Sequence, residues 1–156
     1  MTERYWLMKS EPVEYSIRDL KESPGGIDSW DGVRNYQARN FLRDEMQVGD
    51  RVLFYHSGKN PAVVGTARLT RSGYPDLTAR DPDNKHYDPK STPEVPIWFM
   101  VDIQFESEFL RPIPLSELRT IPELGEMMLL RRGMRLSIQP VTREQFDTIV
   151  SLARRP

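Results

Sequence analysis

"RVLFYHSGKNPAVVGTARL", residues 51–69, is two apolar runs joined by a short polar connection. The runs are rich in β-branched and aromatic side chains, and Gly58 to Pro61 has the chemistry of a turn, so the stretch predicts a buried hairpin. Strands joined so locally are antiparallel. Strict alternation of strand and helix would instead imply a parallel sheet, so this stretch sets the class as α+β.

Upstream, Gly49-Asp50 makes a turn. Before it Ala38, Phe41, Leu42 and Met46 fall on one face of a helix, Arg39, Arg43 and Asp44 on another, and Asn35 is placed to cap it. Further back, "YWLMK" at residues 5–9 predicts a first strand, broken by Pro12. A short helix follows, with Ser16 and Asp19 in capping-box positions, Ile17 and Leu20 facing inward, and Pro24-Gly25-Gly26 ending it.

Downstream, residues 72–96 are rich in proline and aspartate and predict a long loop, which Tyr74 and Tyr87 favour as ordered. Loops of this length are usually functional or disordered. Residues 97–107 then alternate, with Ile97, Phe99, Val101, Ile103 and Phe105 on one face of a strand. A helical region is expected between Pro114 and Gly133, a strand over 135–140 stopped by Pro140, and a last helix opened by Thr142 and Gln145. The sum is one α+β domain over residues 1–156: about five or six mostly antiparallel strands in a partly closed barrel with flanking helices.

Composition excludes several functions. With no cysteine there is no disulfide, thiolate nucleophile or usual zinc site, and two histidines leave little for another metal. No apolar stretch approaches membrane-spanning length and no targeting pattern is visible, so a soluble, cytoplasmic protein without metal or cofactor is expected. Lys and Arg number 22 against 23 Asp and Glu, which argues against indiscriminate coating of polyanions. The distribution is uneven, however. Residues 102–126 hold six acids and two bases, whereas 127–143 hold four arginines and no acid, which suits selection of one anionic partner.

"WDGVRNYQARN", residues 30–40, is neither greasy enough to be only core nor plain enough to be only solvated. Trp30 is placed to reach the mouth of a pocket, or to serve as core. Arg34 and Arg39 suit phosphate contacts, because a guanidinium fork matches two phosphate oxygens, or salt bridges to Asp31 or Asp44. Asn35 either caps the helix or joins the pocket, and Tyr36 either stacks or packs.

Taken with "WLMKSEP" (6–12), "YPDLTARDP" (74–82), "HYDPKS" (86–91), "WFMVDIQF" (98–105) and "LLRRGMRLSIQPVT" (129–142), the stretch from Trp30 to Ser57 resembles the EVE domain family over nearly the whole chain. The resemblance implies a PUA-like fold, similar to the YTH domains that read methylated adenine, and a role in reading modified bases such as methylcytosine in DNA or RNA. It implies that Trp30 is one wall of an aromatic cage, that the Asp31 backbone reads a base edge, and that the segment holding Lys9, Ser10 and Glu11 belongs to the pocket.

The remaining candidates follow from their positions. His56 and Ser57 end an apolar strand and either line the pocket or are satisfied locally. Tyr74 and Tyr87 compete for the second cage wall. Ser137 and Gln139 share a strand face assigned to the pocket, and Arg131, Arg132 and Arg135 are assigned to phosphates. His86 falls in a loop that looks mobile. No catalytic set emerges. The rival reading is an ASCH-type amidohydrolase acting on a modified nucleoside, because Lys9, Ser10 and Glu11 supply its residue types. Adjacent strand positions point to opposite faces, which weighs against their convergence.

Overall fold

The computed structural model describes residues 3–155. In chain order the elements are β1 (Tyr5–Ser10), α1 (Ile17–Glu22), β2 (Ile27–Trp30), α2 (Tyr36–Asn40), β3 (Arg51–His56), β4 (Ala62–Pro75), β5 (Phe99–Pro114), α3 (Leu115–Leu118), β6 (Ile138–Val141) and α4 (Arg143–Ala153). The expected hairpin joins β3 to β4, and all six strands form one sheet in the order β2-β5-β4-β3-β1-β6. Neighbours are antiparallel except β1 and β3, which run parallel because α1, β2 and α2 lie between them in the chain. The sheet is open at β2 and β6.

Both faces of the sheet are covered, which explains why β1 and β3 read as continuous apolar runs. Because side chains alternate, Trp6, Met8, Val52 and Phe54 enter one core with Ile17, Leu20, Ala38 and Leu42 of the helical segments. Leu7, Leu53, Tyr55 and Val63 enter the other with Leu118, Phe146 and Ile149. Asp50, from the turn before β3, is only 3 % exposed and accepts from the Trp6 indole at 2.9 Å and from the backbone N–H groups of Arg4 and Gln47.

Local capping follows the sequence. Ser16 with Asp19 and Thr142 with Gln145 form reciprocal boxes, and Asn35 accepts from the Ala38 N–H. Three expectations are corrected. β4 runs six residues past Leu69, to Pro75, and β5 runs through Pro112 to Pro114, the pair staying hydrogen-bonded although its register shifts at several bulges. The helix expected before Gly133 is only α3 and two 3-10 turns, Pro122–Leu124 and Met128–Leu130. Finally, Pro140 lies inside β6, where an edge strand tolerates its missing N–H.

Past Asn40 the chain makes a π turn, Phe41–Glu45, against which β4 passes closely. A side chain at Gly73 would run into the Leu42 carbonyl and come within 2.9 Å of the Arg43 Cα, so glycine there is a condition of the packing. Among the described residues no helix is long and apolar enough to cross a membrane.

Candidate functional site

The C-terminal end of β1, the entry to α1, the end of β2 and the 83–86 segment converge around a cavity of about 870 Å³. Trp30 forms its aromatic wall. Its indole is only 8 % exposed, held edge-on to Phe54 at 5.4 Å and to Tyr15 at 6.5 Å. A side chain so wedged is held in one orientation, so its part of the lining needs no reordering on binding.

Gly32, two residues on, has φ +78°, and a Cβ there would lie 2.6 Å from Nε2 of His86. Glycine therefore lets the imidazole lie directly on the backbone at the cavity's edge. The Gly32 N–H donates to Asp76 at 2.8 Å. Asp76 is 1 % exposed and also accepts from the Thr78 N–H, the Thr78 hydroxyl and Arg34 Nη1, the last at 3.0 Å. Burial alone would raise its carboxyl, but the donors from Thr78, Gly32 and Arg34 outweigh that and hold its pKa below the ordinary value.

Arg34 completes the joint. Its Nε and Nη2 both donate to the His86 carbonyl, at 3.0 and 2.7 Å, so one guanidinium ties the 83–86 wall to the segment after Trp30. The long loop is ordered by more polar clamps of this kind. Trp98 Nε1 donates to Asp88 at 2.7 Å, and buried Ser91 accepts from the Ile97 N–H at 2.9 Å.

The cavity's polar edge is mixed. Tyr15 donates its hydroxyl to Asp28 at 2.7 Å, and burial followed by that bond raises the phenol's pKa. Asp31 stays exposed at the mouth, yet desolvation and then the Asp76 carboxylate raise its pKa. Lys9 sits over the Tyr55 ring at 5.7 Å, and burial lowers its pKa.

Of the residues singled out in sequence, Lys9, Ser10, Trp30, Asp31 and Ser137 line this cavity together, as does Arg34. The others do not. Asn35 is spent on its cap, and Tyr36 packs on Trp98, outside the cavity, at 4.9 Å. His56 Nε2 accepts from the Ile17 N–H at 3.1 Å, and both His56 and Ser57 face a separate groove. Tyr74 donates to Asp102 at 2.5 Å, its pKa pushed up to about 12 by burial and that bond, and Tyr87 is exposed away from the cavity. Gln139 is buried on the Leu7 side, where its amide donates to the Leu136 carbonyl. Arg34 and Arg39 are corrected from phosphate ligands to internal clamps, since Arg39 donates to the Ile97 carbonyl at 2.7 Å and lies over Tyr36. His86, expected to be mobile, is held on the wall.

The sequence reading missed Tyr15, Asp28, Gly32 and the wall role of His86. Only the "HYDPKS" motif and the glycine after Trp30-Asp31 signalled them. It also missed Arg119, which joins Lys9, Arg131 and Arg132 around a neighbouring cleft of about 540 Å³ with no carboxylate in its walls. Among the described residues none of these four cations, nor exposed Arg135, forms an ion pair.

The residue types of an amidohydrolase do not converge. Ser10 donates its hydroxyl to the Tyr15 carbonyl at 2.8 Å, Lys9 leans toward Tyr55, and Glu11 borders the separate groove. Among the described residues no group of three or more histidines or carboxylates is placed to hold a metal ion.

Comparison with known proteins places the fold. The chain is 45% identical to human thymocyte nuclear protein 1 over 97% of its own length and 74% of that protein's. It superposes with a TM-score of 0.91 and 45% identity on the crystal structure of human THYN1 protein in complex with 5-methylcytosine containing DNA, covering 99% of each chain. The ZmASCH protein from Zymomonas mobilis matches with a TM-score of 0.54 at 12% identity and shares the fold alone. The EVE domain model matches residues 4–152, and the chain belongs to the EVE domain family.

Proposed function

We propose that the chain is a binding module that takes one modified base of a nucleic acid into the cavity beside Trp30 and holds phosphates of the same strand with Arg131, Arg132 and Arg135. The cavity carries this reading. It combines a fixed aromatic wall with polar edges, and Lys9, Ser10 and Glu11 show no catalytic convergence. Stacking on an aromatic is worth about 1–3 kcal/mol per base whatever the base, so discrimination falls to the polar groups around it: Ser10, Asp31 and Ser137, with Tyr15 and His86. A base enters only from a single strand or flipped out of a duplex.

The human relative solved with 5-methylcytosine-containing DNA makes that base the first ligand to try, and RNA of the same sequence the second. A chain without cysteine needs no oxidising compartment, and we assign this activity to the cytoplasm. The test is a titration at one stated salt concentration with matched DNA and RNA strands carrying cytosine, 5-methylcytosine, adenine or N6-methyladenine. Tighter binding of one modified strand than of its unmodified match supports the reading and names the mark. Equal affinity for every strand sinks it.

A further inference from the structure

We infer that the bound strand leaves the base cavity in one direction only: past Lys9, through the basic cleft, and into the apolar groove at the ends of β3 and β5, where its next unmodified nucleotides lie. This rests on the reading proposed above.

Three concavities stand in series. Lys9 is a wall of both the base cavity and the cleft. Ser57, Gly58, Pro61, Leu115 and Arg119 are walls of both the cleft and a groove of about 1070 Å³. The three concavities therefore adjoin one another in a row, with Lys9 between the first two.

The chemistry changes along this line as it does along a nucleotide chain. The cleft is cationic, with Lys9, Arg119, Arg131 and Arg132 free of carboxylate partners among the described residues. The groove beyond is largely apolar, walled by Pro61, Ala62, Val64, Pro112 and Pro114, with Lys59, Arg119 and one carboxylate, Glu11, beside them. Rigid apolar walls accept the faces of bases, while the cations suit the phosphates between them.

The cavity's other walls oppose a second exit. Asp31 and Asp83 line it without a cation partner, and Lys85, which could offset them, is paired with Glu14. A phosphate leaving on that side would meet carboxylates, whereas one leaving past Lys9 meets only cations in the cleft walls. The path therefore has a polarity: flanking nucleotides on one side of the modified base are held and those on the other side are not.

The test is fluorescence anisotropy at one stated salt concentration with short strands bearing one 5-methylcytosine, or the mark found by the titration above. One strand carries three unmodified nucleotides on the 5′ side only, another carries them on the 3′ side only, and the third is a minimal dinucleotide. Extension on one side is expected to tighten binding at least about tenfold and extension on the other less than about twofold, given the worth of a stacked base and added phosphate contacts. The gain should disappear in Lys59→Glu, an exposed position that lines the groove and neither the cleft nor the base cavity, while affinity for the minimal strand changes little. Equal gains from both sides, or none from either, with selectivity for the mark intact, overturn the directional path; a protein or lipid occupant of the groove would give the second of these results. Loss of selectivity for the mark in every strand overturns instead the reading on which the path rests.

Discussion

Replacing Asp76 by asparagine removes one charge from the joint that fixes the cavity wall, and its effect follows from the contacts. The carboxylate is fully buried and accepts from Gly32, Thr78 and Arg34. Removing one partner of a buried ion pair typically costs about 3–5 kcal/mol, because the remaining charge is left uncompensated. Here the Arg34 side chain is 22% exposed and keeps its two bonds to the His86 carbonyl, which favours the lower end, about 3 kcal/mol. That is a large part of an ordinary domain's stability of about 5–15 kcal/mol, yet it leaves the variant folded. The assay is urea unfolding at pH 7 of wild type, Asp76→Asn, Arg34→Gln and the double variant. The two substitutions should be non-additive, with a coupling of about 2 kcal/mol, because each removes the same pair. Additive effects, or a loss below about 1 kcal/mol in Asp76→Asn, would refute the view that this pair holds the wall.

Other perturbations test separate parts of the account. Gly32→Ala puts a β-carbon at positive φ and against the His86 ring, and should cost about 1–3 kcal/mol in chemical unfolding while weakening binding of the modified strand. Gly73→Ala drives a methyl into the backbone of Leu42 and Arg43, none of which lines the cavity; a comparable loss of about 1–3 kcal/mol with base affinity unchanged is expected. His56 is held neutral in the fold, since burial lowers its pKa and Nε2 must stay free to accept from Ile17. A depressed folded pKa means its contribution is complete above the unfolded value of about 6.5 and is lost as pH falls toward the folded value. Stability measured between pH 7 and 5 should therefore decline, and His56→Gln, which keeps an acceptor, should flatten that decline.

Much of the fold was legible because it is set locally. The capping boxes of Ser16 and Thr142, the Asn35 cap and the 51–69 hairpin each depend on residues a few positions apart, and each forms. The failures have physical causes. The 115–132 segment has helical composition, but Pro122 and Gly125 interrupt it and leave short turns. Strands β4 and β5 outrun their apolar patterns because bulges keep them paired beyond the point where alternation fades. In the site, Trp30 was legible from its odd polar surroundings. Arg34 was misread because its partners, Asp76 and His86, lie more than forty positions away in a loop without periodicity. Arg119 reaches the cleft from the C-terminal end of α3, which nothing in the nearby sequence marks as functional.

The proposed function rests on stacking of the bound base against Trp30, which lines the cavity. Trp30→Leu keeps apolar packing against Phe54 while removing the aromatic surface, and circular dichroism verifies that the variant is folded. The decisive measurement is the affinity of wild type and Trp30→Leu for 5-methylcytosine and cytosine strands under one salt condition. Wild type is expected to prefer the modified strand, and Trp30→Leu to lose about 1–3 kcal/mol of binding to both strands, the worth of one stacked base. A folded Trp30→Leu variant that binds both strands as tightly as wild type would overturn the stacking role of Trp30.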